Sequence, residues 1–413
     1  MCDLMIKVEI SSLPFYRYDK IQAFGIFHGV FLEFRDVEKL VADNISLVAA
    51  RNFLVIICAS TMSDFWIAVF ISTIARPMIP SRAFVGGQRM KKIISPRPTN
   101  FTGVTEFVLL GLTDHPELQV LLFVVFLLIY IIIIVGNMLI FTMILIDPSL
   151  HTPMYFFLKV LSFLDICYSS VTLPKMLVNF LSEDKRISYI GCAAQMFFML
   201  FLGASECFLL AAMAYDRYVA ICKPLMYMTI MNEKVCLSLT VLSWFFGNLV
   251  SLLQTIWVFA LPFCGSNQIN YFFCDIPPLI KLSCIDTSSY EMQLFTATIL
   301  VILTPFSFIV VSYLLIIYSI LKMTTVEGRQ KAFSTCSSHL LVVTLYYGSG
   351  SLVYLKPKSI QSQDSNKVLA LMYTVITPML NPIIYSLRNK EISGAIKRMV
   401  NKTMNRKIFF HET

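Results

Sequence analysis

Charge is scarce in this sequence. Of its 413 residues only 14% are Asp, Glu, Lys or Arg, while 57% are hydrophobic, and the mean hydropathy is +0.73. A soluble domain carries about a quarter charged residues, so an ordinary soluble globule is excluded. Histidine is rarer still: the chain has five, and none pair at a metal-ligand spacing. Neither a glycine-rich phosphate loop nor a nucleophile with its base occurs, so an enzyme and a bound organic cofactor are not expected. Basic patches interleaved with stacking aromatics are missing too. The net charge of +8 sits at the ends of apolar runs, which points to a lipid bilayer and away from nucleic acid. No internal repeat of the kind used by secondary transporters is present. Two intramembrane acids, Asp165 and Glu206, are too few to line a channel or transport path.

What the chain has instead is a series of apolar runs long enough to cross a bilayer. Seven fall at residues 118–146, 154–181, 189–221, 235–259, 292–321, 332–355 and 367–387. They predict an all-α membrane protein, a seven-transmembrane helix bundle, over residues 96–400. Arg388, Lys390, Lys397, Arg398, Lys402, Arg406 and Lys407 crowd the end of the chain. Basic residues stay on the cytoplasmic side, so the C-terminus and the tail 401–413 are expected inside and the N-terminal end of the bundle outside. Residues 388–400 read as a short amphipathic eighth helix, with Lys397 and Arg398 toward headgroups. Residues 1–95 are an atypical N-terminal extension of mixed character. Their apolar segment 52–75 is interrupted by Asp64, a costly residue in lipid. Asn100-Phe-Thr102 is a glycosylation sequon placed just ahead of the first span; Asn44 and Asn401 head further matches.

Eleven cysteines leave at least one unpaired within the chain. Cys58, Cys167, Cys207, Cys222, Cys236 and Cys336 lie in apolar or inner-facing segments and read as thiols. Cys192 precedes Arg217 by 25 residues, a helical rise of about 38 Å, so the two lie on opposite membrane faces. Cys192, Cys264, Cys274 and Cys284 are then the oxidisable set, with three possible connectivities.

Four stretches carry the chemistry. Met213-Ala-Tyr-Asp-Arg-Tyr-Val-Ala-Ile-Cys-Lys-Pro224 ends the third span in an Asp216-Arg217 pair. Two charges at the end of a membrane helix mark a membrane edge or a polar interior, and an ion pair there can latch a bundle. Leu150-His-Thr-Pro-Met-Tyr-Phe-Phe-Leu158 joins the first two spans, with Pro153 suited to a first helical turn. Lys331-Ala-Phe-Ser-Thr-Cys-Ser-Ser-His-Leu340 gives the sixth helix a polar mouth. Pro378-Met-Leu-Asn-Pro-Ile-Ile-Tyr-Ser-Leu-Arg-Asn-Lys390 closes the seventh; Pro382 frees a backbone carbonyl that Asn381 is expected to help satisfy. In the first span Asn137, beside Gly136, needs a partner on a neighbouring helix. Pro305 is expected to bend the fifth.

Over residues 98 to 400 the chain resembles the olfactory receptors, which are rhodopsin-like, class A G-protein-coupled receptors. The resemblance implies a receptor for small, mostly apolar odorants that activates the olfactory stimulatory heterotrimeric G protein and cAMP signalling at the plasma membrane; a non-olfactory chemosensory class A receptor is the alternative. It implies a ligand pocket at Met199, Leu200, Gly203 and Ala204, and more loosely at Thr298, Tyr347, Gly350, Ser351 and Tyr354. Met199 in place of a carboxylate favours a neutral ligand. Tyr347 stands where other class A receptors carry a tryptophan switch. Asp216, Arg217, Tyr218, Tyr313, Lys331, His339, Asn381, Pro382 and Tyr385 are implied as the coupling and switch residues, with Tyr313 meeting Arg217 when the bundle opens. The resemblance also implies that Cys192 pairs with Cys274, leaving Cys264 for Cys284. The position of Asp165 belongs to a sodium pocket in the wider family, which makes Asp165, Glu206 and Asn381 candidates for a structural Na⁺. Two residues depart from the pattern: Ser149 replaces a basic residue, and Tyr346 a phenylalanine.

Overall fold

A computed structural model describes residues 104–398 apart from 114, 265, 324, 356–362, 389–390 and 396–397. The N-terminal extension, its 52–75 segment, the Asn100 sequon and the tail 401–413 lie outside the described residues. Among the described residues seven long helices follow one another: α1 (Pro116–Ile146), α2 (Pro153–Leu181), α3 (Tyr189–Cys222), α4 (Glu233–Phe259), α5 (Ser288–Lys322), α6 (Val326–Tyr354) and α7, built as Gln363–Leu371, Met372–Ile376 and Thr377–Arg388.

Their starts follow from local chemistry. Pro116 and Pro153 open α1 and α2, where a missing N–H costs nothing and φ is already helical. Ser188 caps α3 by accepting from the Gly191 N–H at 3.0 Å, and Asn232 caps α4 from the Val235 N–H at 3.1 Å. Among the described residues six helices are long and apolar enough to cross a membrane. α6 has the length, but begins at Val326 rather than at residue 332. Its first turns carry Glu327, Arg329 and Lys331, which a hydropathy reading leaves out. α5 likewise starts ahead of residue 292.

The helices differ in what they face. In the apolar window of α3, 72% of residues are buried, against 11% for α1. α3 is therefore the central post and α1 is chiefly lipid-facing, with Leu121 and Val135 on its outside. Gly247 of α4 packs directly on the α3 backbone. A Cβ there would meet the Ser205 Oγ and stand 2.9 Å from the Phe201 O and the Ser205 N.

Three prolines, Pro382, Pro305 and Pro378, are absorbed in two ways. Pro382 cannot donate to the Pro378 carbonyl one turn earlier, and the amide that replaces its N–H is Asn137: Nδ2 donates to the Pro378 O at 3.2 Å and to the Ile133 O at 3.1 Å. Gly136 makes room for the proline ring, since a Cβ there would sit 3.0 Å from the Pro382 Cβ. The expectation that Asn381 would serve this carbonyl is corrected, because Asn381 donates to Asp165 instead. Pro305 is preceded by a π-helical turn, Ile299–Leu303, and Pro378 by a second, Met372–Ile376. Each ends at a Thr-Pro pair whose threonine hydroxyl donates five residues back, Thr304 to the Ile299 O at 3.5 Å and Thr377 to the Met372 O at 3.0 Å.

The helical expectation omits a small sheet. β1 (Glu106–Leu109) lies between β2 (Arg186–Ser188), antiparallel to it, and β3 (Gln268–Ile269), parallel to it. Phe107 and Leu109 turn inward and are fully buried, the alternation expected of a one-sided strand. Gly111, at φ +81°, turns the chain out of the sheet toward α1. Beside it two disulfides, Cys192–Cys274 and Cys264–Cys284, each with Cα atoms 5.5 Å apart, fix one of the three connectivities. Cys167, Cys207, Cys222, Cys236 and Cys336 are free. At the other end, residues 391–395 are helical, and the amphipathic face expected over 388–400 falls largely outside the described residues.

Candidate functional site

A cavity opens among the helices at the end nearest the sheet. Met199, Leu200, Gly203 and Ala204 form its α3 wall, since residues i, i+1, i+4 and i+5 share a helical face. α5 contributes Leu294, Thr298, Val301 and Ile302, and α6 contributes Tyr346, Gly350 and Tyr354. Tyr373 comes from α7, Tyr168 from α2 and Gln254 from α4. Both π-helical turns therefore sit on the cavity wall, one through Val301 and Ile302 and the other through Tyr373. An extra residue per turn re-aims side chains at such sites.

Ser351 and Tyr347, expected among the pocket residues, do not line it. One residue along a helix is a rotation of about 100°, and Tyr346 takes the wall position instead. Tyr347 is buried against Phe306, with ring centroids 5.4 Å apart.

The roof is the loop between α4 and α5. Its short helix Ile276–Ile280 puts Ile276 on the cavity, and the Cys192–Cys274 bond ties that loop to the start of α3. The Gln195 Oε1 accepts the Cys274 N–H at 3.0 Å. Asp275, fully buried, accepts the Tyr354 hydroxyl at 3.0 and 3.1 Å and the Ile276 N–H at 2.8 Å. Burial is the larger influence on Asp275 and pushes its pKa up to about 6, against the lowering effect of those hydrogen bonds.

A strip of hydrogen bonds leads away from the cavity. The Tyr346 hydroxyl donates to the Gly203 O at 2.8 Å, and the Tyr347 hydroxyl to the Cys207 O at 2.7 Å. One turn on, the His339 Nε2 meets the Leu210 O at 3.1 Å. All three join α6 to successive turns of α3. A carbonyl only accepts, so Nε2 carries a proton; with the imidazole neutral, Nδ1 accepts from the Tyr313 hydroxyl at 2.8 Å. Tyr313 is thus bonded to His339 and not to Arg217.

Arg217 is buried at the far end of α3 and paired with Asp216, whose second oxygen accepts the Tyr227 hydroxyl at 2.7 Å. Tyr218 is half-buried and stacks on Tyr215, 6.3 Å between centroids. The Lys331 side chain lies outside the described residues. Asp147, in the α1–α2 turn, is held by Arg398 at 2.6 Å and by the Ser149 hydroxyl at 2.7 Å. The Arg398 hydrogen bond, then that of Ser149, lowers the Asp147 pKa to about 2. Arg398 therefore brings a cation to the turn where Ser149 leaves none.

Between the cavity and Arg217 lie the buried acids. Asn381 donates to both oxygens of Asp165, at 3.1 and 2.9 Å. Among the described residues the Glu206 Oε1 and Oε2 have no hydrogen-bond partner, since the nearby Tyr346 hydroxyl donates to Gly203 instead. The Asn381 Oδ1 and the Ser205 and Tyr385 hydroxyls are unpartnered as well. Asp165, Glu206 and the Asn381 Oδ1 offer oxygen donors of the kind a small hard cation takes, whereas the Ser205 hydroxyl lies against Gly247 on α4.

Comparison with known proteins decides the family. The olfactory receptor family model matches residues 126–403. The chain is 56% identical to human olfactory receptor 10A7 over 309 residues, 75% of this chain and 98% of that protein. To human olfactory receptor 10A5 it is 53% identical over 306 residues, 74% of this chain and 96% of that protein. Human olfactory receptor 5I1 matches at 50% over 306 residues, 74% and 98% respectively. The chain belongs to the olfactory receptor family. It is a class A G-protein-coupled receptor spanning the membrane several times, and not an enzyme.

In this olfactory receptor, sequence reasoning missed Gln254, Tyr373, Asp275 and the roof residue Ile276. Gln254 had a signal: an amide inside the apolar run Leu252-Leu-Gln-Thr-Ile256 is expensive in lipid and faces protein or a cavity. The paired Thr-Pro steps at Thr304 and Thr377 were the signal for the π-helical turns.

Proposed function

We propose that this receptor binds a small, mostly apolar odorant in the cavity beneath the loop between α4 and α5, and signals through a stimulatory heterotrimeric G protein at the Arg217 end. All seven long helices span the bilayer in this reading, with the sheet outside and the Arg217 end inside, as the basic residues after α7 favour. The observation that carries it is the α6–α3 strip. Tyr346 is both a wall of the cavity and the first of the hydrogen bonds that run through Tyr347 and His339 toward Arg217. A ligand that pushes on that wall favours conformers in which α6 stands differently against α3, and a G protein reads the inner opening.

Among the described residues no carboxylate lines the cavity, so a neutral ligand is favoured over an amine. A sodium ion held by Asp165, Glu206 and Asn381 would offset the two acids and steady the bundle between cavity and latch. Odorant-evoked cAMP in cells expressing the full chain with the stimulatory G protein is the test. Expected is a dose-dependent rise that Arg217→Ala abolishes at equal surface expression. Current evoked without any G protein would refute the reading.

A further inference from the structure

Gln254 puts an amide on the α4 wall of the cavity, on a residue only 4% exposed. Its two ends differ. The Oε1 is enclosed by protein, whereas the Nε2 makes no hydrogen bond among the described residues and is the end left open to the cavity. Three other polar protons on the wall are already given away: the Tyr346 hydroxyl donates to the Gly203 O at 2.8 Å, the Tyr354 hydroxyl to Asp275 at 3.0 Å and the Thr298 hydroxyl to the Leu294 O at 2.8 Å. An N–H left unmet in a low-dielectric site is costly, so a ligand that brings an acceptor gains what the protein withholds.

We propose that the odorant carries a carbonyl group, an aldehyde or a ketone, whose oxygen accepts a hydrogen bond from the Gln254 Nε2. This rests on the receptor reading above and names its ligand class. A carbonyl oxygen accepts in its own plane and brings no proton that the site must answer. An alcohol can accept from the same N–H, but its own proton cannot go to the enclosed Gln254 Oε1. A hydrocarbon offers nothing. The apolar wall, Met199, Leu200, Val250, Leu294 and Val301, accepts the hydrocarbon part of the ligand. Gln254 is then a specificity-determining residue, and discrimination needs no clash, because a ligand without the acceptor leaves the N–H unpaired. Tyr168 of α2 is the rival donor: it also lines the cavity, and its hydroxyl makes no hydrogen bond among the described residues. A hydroxyl proton rotates to suit its surroundings, while amide N–H groups are fixed in a plane, so the amide is the more selective of the two.

The test is a panel of shape-matched pairs, octanal with 1-nonene and acetophenone with α-methylstyrene, together with octanol. It is read as cAMP in surface-stained cells expressing the full chain and the stimulatory G protein. Expected is a response to each carbonyl compound at a concentration at least roughly tenfold below that of its alkene, with octanol weaker than octanal. Gln254→Met keeps the length of the side chain and removes the donor. It should raise the effective concentration of octanal and acetophenone by roughly five- to a hundredfold, the scale of one buried donor gained or lost. It should leave the alkenes unchanged or more potent, which also shows that the variant folds. Tyr168→Phe should leave the carbonyl-to-alkene ratio as it is. Octanol preferred over octanal would overturn the proposal, because the cavity would then be taking a proton rather than giving one. A ratio lost in Tyr168→Phe and kept in Gln254→Met would overturn it too, because that places the donor on α2. A receptor at the surface that answers to odorants of other groups only sinks this inference and spares the receptor reading. Silence to every odorant class sinks both.

Discussion

A fully buried acid in a loop sets the first prediction. Asp275 titrates near 6 rather than at its ordinary 3.8, because burial penalises its charge more than Tyr354 and the Ile276 N–H repay it. The folded chain therefore binds this proton more tightly than the unfolded one. Its contribution to stability is complete below pH about 4 and is lost as pH rises through 6. One pKa unit corresponds to about 1.4 kcal/mol, so the roof is strained by a few kcal/mol at neutral pH. In detergent, the melting temperature of the wild type should rise between pH 7 and pH 5, and that rise should shrink by a few degrees in Asp275→Asn. Parallel pH profiles for the two proteins would contradict this. Nothing in the sequence marked Asp275, since its burial comes from the disulfide beside it and from Tyr354, 79 residues away. Asn137 was more legible. An amide in a membrane helix demands a partner, and the structure supplies the carbonyl that Pro382 leaves bare.

At the scale of helices, close approach matters more than polarity. Gly247 lets α4 reach the α3 backbone at Phe201 and Ser205. Backbone cannot give way as a side-chain tip can, so Gly247→Ala should cost about 1–3 kcal/mol, the usual penalty of overpacking. Detergent melting should show a fall of a few degrees, with odorant preference unchanged among receptors that still fold; an unaltered melting temperature would refute the contact. Helix positions were legible from runs of apolar residues, because lipid imposes length. Two element-level features were not. The sheet is built from segments of two to four residues, too short for an alternating pattern to stand out. The π-helical turns shift register without changing composition, and only the Thr-Pro pairs hint at them. Tyr347 illustrates the consequence: its neighbour Tyr346 occupies the wall, and a linear reading cannot tell which of two adjacent tyrosines turns inward.

For the whole molecule the central claim is mechanical coupling between the cavity and the Arg217 latch. From Gly203 to Arg217 along α3 is 14 residues, about 21 Å, bridged on the α6 side by Tyr346, Tyr347 and His339. Coupling between two binding sites is reciprocal, so in the proposed reading a G protein bound at one end would tighten odorant binding at the other by the factor with which odorant tightens the G protein. The direct measurement is the affinity of an activating odorant in membranes, with and without excess nucleotide-free stimulatory G protein. The account predicts affinity about 5- to 150-fold tighter with G protein, and a smaller ratio in Tyr347→Phe and His339→Asn receptors. An odorant affinity identical in the presence and absence of G protein would contradict it.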